Sequence, residues 1–260
     1  MKICTWNCRY GLTPEKAAHL CKEGYNADIY AIQEYDMLNN KPISEIEKCL
    51  GQLQDKYGDG QEYKYNDNSG GDLGVALFSN TYRIERIYGN TVPYRYVVPY
   101  NVTSKDTNES FTLVHVWTKI AGPEANQKQD YIMQVTGAIE DPTYSKSLIP
   151  EDNKVLWIGD FNSSMQLKDE ADKNNHAVFL ENMEKLGLVS AYHTDRQKKH
   201  GEEDQFTFIG TYRNGQQMFV NDYIFYHHDR FKCETVRIGL FNTFRAFSDH
   251  CPVLAELQLL

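Results

Sequence analysis

The sequence predicts an α/β fold for this 260-residue chain, from three observations. A strand, a helix and a second strand follow one another within residues 3–34. Continuous apolar runs recur at 74–78 and 155–158, as expected of strands covered on both faces. Helix-period and strand-period segments share the rest of the chain, with no low-complexity linker, internal repeat or break in composition. One domain over residues 1–260 is therefore expected.

The elements can be justified in order. Ile3-Cys4-Thr5-Trp6 reads as a strand leading to Asn7. Thr13 is a good N-cap, Pro14 fits the first helical position, and Ala17, Leu20 and Cys21 share one face. Gly24 suits the left-handed residue that ends this helix. Ile29 to Ile32 is a second strand ending on Gln33-Glu34. A βαβ unit makes these two strands parallel, so Asn7 and Glu34 should emerge at the same sheet edge. Residues 41–57 read as helix from a stripe of Ile43, Ile46, Cys49, Leu50 and Leu53, and Asn68 to Asp72 as a turn. Gly74 to Phe78 is a buried strand, with further strands expected at 82–88, 94–102 and 110–117. A helix over 128–140, a loop bracketed by Pro142 and Pro150, and the strand Val155 to Ile158 follow. Next come a helix over 173–186 closed by Gly187, and strands at 206–212, 219–226, 233–239 and 252–258.

Composition narrows the class. A hydrophobic fraction of 41% with 24% charged residues is ordinary for a globular protein. No run approaches eighteen apolar residues, so no membrane-spanning segment is expected. The N-terminus shows no export signal, and the six cysteines form no CxxC pair, which together suggest reduced thiols and a cytoplasmic protein. Net charge is −9, from 27 basic and 36 acidic residues. A basic footprint for non-specific duplex binding is thus missing at the level of composition, while a carboxylate-rich metal site would be consistent with it.

The informative residues are polar ones at the ends of apolar strands. Asn7 and Glu34 end the first two strands, and His115 lies within Phe111–Trp117. Asp160 and Asn162 follow Val155–Ile158 in "GDFN". Asp222 sits in "NDYIF", and Asp249 and His250 in "SDHCPV". Singly, each such Asp or Asn is an ordinary turn former; their joint occurrence is not.

"TWN" (5–7), "IQE" (32–34), "GDFN" (159–162), "NDYIF" (221–225) and "SDHCPV" (248–253) occur in this order over nearly the whole chain. The set resembles the endonuclease/exonuclease/phosphatase superfamily, the DNase I-like phosphoesterases. That resemblance implies a four-layer αββα sandwich, with two mixed β-sheets face to face and helices on the outer faces. It also implies phosphate-ester hydrolysis with Mg²⁺ or Mn²⁺. Residue chemistry agrees. Glu34, Asp249 and Asn7 offer hard oxygen ligands for such a cation. Asp160 suits a general base, Asn162 presents an amide to the water or a phosphoryl oxygen, and protonated His250 donates to a non-bridging oxygen while Asp222 orients it.

One position departs from the pattern. The superfamily places a His or Tyr near the end of the strand that reads "TLVHVWT" here; residue type selects His115 and spacing selects Trp117. Trp donates a hydrogen bond but transfers no proton. His115 is carried as a catalytic candidate against the alternative of a satisfied strand histidine, and Trp117 as a cleft-lining one.

Three functions stay open: a nuclease on DNA or RNA, ranked first; a phosphatase or phosphodiesterase of an inositol-type or lipid-derived phosphate; and an interaction domain that kept the fold without the chemistry. The tract "YRYVVPY" (94–100) reads either as a base-stacking platform or as strand-face tyrosines packing on neighbours. "DRQKKHG" (195–201) reads either as a basic loop that meets phosphates or, since Glu202, Glu203 and Asp204 follow, as a solvated loop, which is favoured, and His227-His228 reads as an exposed turn. A monomer is expected, since both ends of one chain supply the site.

Overall fold

The computed structural model describes residues 1–37, 43–64, 70–89, 93–94, 97–119, 131–212 and 215–260. Along the chain, β1 (Lys2–Asn7), α1 (Pro14–Lys22), β2 (Ile29–Asp36), α2 (Ile43–Leu50), β3 (Leu53–Lys64) and β4 (Gly70–Phe78) come first. They are followed by β5 (Tyr82–Arg86), β6 (Val97–Ser104), β7 (Ser110–Trp117), α3 (Ile132–Glu140), α4 (Ser145–Leu148) and β8 (Val155–Asp160). The last part holds α5 (Glu170–Lys185), β9 (Leu188–Ser190), α6 (Ala191–Arg196), β10 (Phe208–Tyr212) and β11 (Gly215–Phe219). It closes with β12 (Asp222–His227), β13 (Phe231–Ile238), α7 (Phe241–Phe244) and β14 (Val253–Leu259).

These strands form two six-stranded mixed sheets, in the orders β13-β14-β1-β2-β4-β3 and β5-β6-β7-β8-β12-β9, plus the β10-β11 hairpin. Strands β1, β2 and β14 face β8 and β12 across the interior, and helices α1–α2 and α3–α5 group separately. The result is the αββα sandwich. Its core is continuous across both sheets, from Ile3, Trp6 and Ile32 to Leu156, Trp157 and Phe225.

Each sheet contains one parallel pair, and these pairs position the site. β1 runs parallel to β2 with Asn7 opposite Gln33, and β7 runs parallel to β8 with Trp117 opposite Asp160. The crossover from β1 to β2 is made by α1 as its sequence dictates. Thr13 Oγ1 accepts the Lys16 N–H, Pro14 opens the helix, and Gly24 leaves it at φ +80°.

Four expectations about local structure need correction. The helix expected over 41–57 stops at Leu50, because Gly51 enters the left-handed region at φ +86° and Leu53 begins β3, paired with β4. Gly70 to Asp72 lie in β4 instead of a turn, and Asn68 and Ser69 fall outside the described residues. The strand expected over 219–226 is two strands in different sheets: Thr207 Oγ1 takes the N–H groups of both Asn221 and Asp222 and breaks the ladder there. His227 is buried at the end of β12 with its ring against Gly187, while His228 remains exposed.

Of the tract "YRYVVPY", Tyr100 is fully buried and Tyr94 packs on Tyr144 with ring centres 5.0 Å apart, which is the packing alternative; Arg95 and Tyr96 are outside the described residues. All six cysteines are free thiols, three of them buried. No described helix is long and apolar enough to cross a membrane.

Candidate active site

Burial and backbone geometry bring most of the polar strand ends into one connected cluster. Asp160, the last residue of β8, is fully buried. Its Oδ2 accepts the Nδ2–H groups of Asn7 and of Asn162, both at 2.9 Å, and its Oδ1 accepts the Asn162 backbone N–H at 2.9 Å. Asn162 reaches back because its backbone is left-handed at φ +45°, and its amide also donates to the Thr118 carbonyl at 2.7 Å. The residue before the acid must be glycine. Gly159 sits at φ +141°, and a Cβ there would lie 1.8 Å from the Val116 carbonyl oxygen.

Across the interior, Asn7 donates from the same Nδ2 to Glu34 Oε1 at 3.0 Å. Glu34 stands at a bulge in β2, at φ +55°, and its Oε2 accepts the Tyr10 N–H. The bulge gives this one residue a direction that strand alternation would deny it. From the end of the chain, Ser248 Oγ donates to the Asn7 carbonyl and accepts the His250 N–H, while Trp6 Nε1 donates to the His250 carbonyl. This latch holds the "SDH" segment against β1. Ile209 N–H to Asp249 O and Cys251 N–H to Thr207 O hold its other side.

His250 stands between two buried carboxylates. Its Nδ1 lies 2.9 Å from Asp222 Oδ2, and its Nε2 lies 3.9 Å from Asp160 Oδ2. Burial works against the imidazolium, but Asp222 and Asp160 outweigh it and raise His250 to about 10. Burial pushes Asp160 up to about 7, helped by Asp222 and opposed by His250 and its amide donors. At neutral pH the proton therefore rests on His250, and Asp160 is poised to take one.

Glu34 and Asp249 are the partly exposed carboxylates at the edge of this cluster, and Asp249 Oδ2 lies 3.6 Å from Arg9 Nε. Their hard oxygens, with lone pairs to spare, fit Mg²⁺ or Mn²⁺. Asn7 is oriented differently from the expectation for a ligand. It turns its amide hydrogens to Glu34 and Asp160, and its Oδ1 accepts the Arg9 N–H, so it would join an oxygen shell only if the amide turned over.

His115 lies deeper. Its ring is fully buried, its Nε2 is 2.6 Å from Gln33 Nε2, and Gln33 Oε1 accepts from Thr5 Oγ1. Burial drives its pKa down to about 3. It sits two residues before Trp117, the residue that lies beside Asp160. His115 is hydrogen-bonded at Nε2 alone, its Nδ1 being buried without a partner, and Trp117 is the neighbour of the site, with Lys119 Nζ 4.2 Å from its ring centre. Sequence reasoning missed Ser248, Thr118, Thr207, Gln33 and Arg9. Ser248 and Gln33 had a signal, standing within the "SDH" and "IQE" runs; the others act through backbone or long-range contacts that no spacing announces.

With this geometry in place, comparison with known proteins is decisive. The sequence pattern of the Endonuclease/Exonuclease/phosphatase family matches residues 4–250. The chain belongs to that family. Solved structures agree at the level of fold. An AP endonuclease from Archaeoglobus fulgidus superposes with a TM-score of 0.66 at 17% identity, covering 98% of each chain. The human Nocturnin catalytic domain gives 0.65 at 18%, covering 100% of this chain and 94% of that one. A Bacteroides thetaiotaomicron mannosyl-6-phosphatase gives 0.62 at 15%, covering 99% of each. No curated protein matches by sequence. The endonuclease/exonuclease/phosphatase family and its neighbours are phosphoesterase hydrolases, generally dependent on a divalent metal.

Proposed function

We propose that this chain, acting as a monomeric single domain over residues 1–260, is a Mg²⁺- or Mn²⁺-dependent phosphoesterase that cleaves a phosphodiester by in-line attack of an activated water. The observation that carries this reading is the environment of Asp160: a buried carboxylate oriented by two amides, beside an imidazolium held by a second buried carboxylate.

Asp160 accepts the proton of the attacking water, for which a pKa raised to about 7 is well matched. Asn162 and Asn7 fix the direction of its lone pairs. His250, kept charged by Asp222, donates to a non-bridging phosphoryl oxygen as negative charge accumulates there. Glu34 and Asp249 would hold the cation, which when bound supplies charge neutralisation at the phosphoryl and leaving oxygens. Trp117 lines the cleft beside Asp160. Burial keeps His115 neutral at pH 7, so it is no imidazolium acid, and we assign it to orienting Gln33 between the sheets, without a direct part in the chemistry.

Nucleic acid is our first substrate class. A small or lipid-derived phosphate is the second, favoured by the net charge of −9, which disfavours a long polyanion. An interaction domain without chemistry is disfavoured by the retention of every acid, amide and imidazole in the cluster. The test is hydrolysis of bis(p-nitrophenyl) phosphate against p-nitrophenyl phosphate, then of DNA, RNA and inositol phosphates. Activity on one of these with Mg²⁺ or Mn²⁺, abolished by EDTA, is expected. Equal rates with EDTA present would overturn the metal-dependent mechanism.

A further inference from the structure

The loop after α6 does not behave as its sequence suggests. "DRQKKHGEED" reads as a solvated run of charge, yet Glu203 folds inward and its carboxylate is fully buried. Its Oε1 lies 2.9 Å from His193 Nε2, and both its oxygens accept the Gly201 N–H at 3.0 Å. His200 turns in beside it and stacks on His193, with ring centres 3.5 Å apart. One ligand atom from each of His193, His200 and Glu203 lies within 4.8 Å of the others.

Hydrogen bonding within this group is incomplete. His200 Nδ1 is buried without a partner, and so is Nε2 of the fully buried His176, whose ring centre is 6.0 Å from that of His200. An unsatisfied buried acceptor usually costs about 1–3 kcal/mol and calls for an explanation. The nitrogens on the far sides are backed by hydroxyls: His193 Nδ1 by Ser190 Oγ at 2.8 Å, and His176 Nδ1 by Ser163 Oγ at 2.9 Å. An acceptor behind the far nitrogen fixes the tautomer and direction of a metal-binding imidazole, and Ser190 Oγ can serve His193 in this way.

We propose that His193, His200 and Glu203 form a second metal site, for Zn²⁺, separate from the phosphoesterase cleft. Two imidazoles and one carboxylate are a borderline donor set that selects Zn²⁺ over Mg²⁺. His193 and His200 also line a cavity of about 560 Å³, which gives an ion a way in and leaves room for water as a fourth ligand. Zinc bonds of about 2.0–2.1 Å require the ligand atoms to draw closer than they stand here, so binding would tighten the loop. The site is independent of the cleft yet shares β12 with it. Asp222 points inward to His250, whereas Tyr223 and Phe225 point to the other face, each with its ring centre within 6.3 Å of that of His200. A bound ion would brace β12 from behind, and through Ser163 the loop that carries Asn162.

The experiment is calorimetric titration of the EDTA-stripped full chain with ZnCl₂, with thermal unfolding in parallel. One equivalent should bind with a Kd below about 1 μM, and a hundredfold excess over Kd should raise the Tm by roughly 5–10 °C. His200→Gln should weaken binding at least about tenfold, and Glu34→Gln/Asp249→Asn should not. Absence of a stoichiometric equivalent, or equal affinity in His200→Gln, overturns the proposal, as does loss of binding in the cleft double variant. Should His200→Gln fail to fold, Co²⁺ added to the wild-type chain decides: intense visible bands of four-coordinate Co²⁺ support the site, and weak six-coordinate bands refute it.

Discussion

At the scale of the residue, the proposed hydrolysis turns on where one proton sits. Asp160 and His250 are both buried, and the charge on their shared neighbour Asp222 raises the pKa of each. Asp160→Asn keeps the shape of the cluster and removes the proton acceptor, so kcat should fall at least about a hundredfold with an unchanged circular dichroism spectrum. An unchanged kcat would remove Asp160 from the reaction. Asp222→Asn removes the largest influence that raises His250, so the imidazolium should deprotonate at lower pH. The alkaline limb of the pH–rate profile should then move down from the region of 10, and a limb that stays in place would show that Asp222 does not set this charge.

At the scale of the element, two short irregularities aim the side chains. The bulge at Glu34 and the turn Gly159–Asn162 each depart from the ladder just where a carboxylate has to leave it. Gly159→Ala would drive a methyl group into the Val116 carbonyl and impose φ +141° on an L-residue. A loss of stability of about 3 kcal/mol or more is expected, seen as a lower urea midpoint, together with reduced activity as β7 and β8 part. Unchanged stability would mean that this turn relaxes easily. Only one of these features was legible in the sequence: "GDFN" displays its glycine, whereas nothing in "IQEYD" reveals that register slips between Gln33 and Tyr35.

At the scale of the whole molecule, the two sheets meet over a polar layer as well as an apolar one. Thr5, Gln33 and His115 lie buried between them. The folded-state pKa of His115 is lowered to about 3 from an ordinary 6.5, so its contribution is fully present above 6.5 and is lost as pH falls toward 3. In that window His115 binds one more proton in the unfolded chain than in the folded one, which removes about 1.4 kcal/mol per pH unit, and the buried His176 and His200 act in the same direction. His115→Gln should flatten the decline in unfolding free energy between pH 6.5 and 4, measured by urea titration. An equally steep decline would show that other groups dominate acid unfolding.

The sequence by itself determined the fold class, the βαβ opening and the identity of the residues around Asp160, because strand period, helix caps and ordered motifs are local properties written residue by residue. The tertiary structure alone decided the rest. It ended the 41–57 helix at Leu50, separated β11 from β12, placed His115 below the site and turned Asn7 amide-first toward Glu34. It also drew Glu203 out of a run of charge and into the interior. Each of these outcomes depends on a partner distant in sequence, and what a polar side chain does once buried is set by the partner that reaches it.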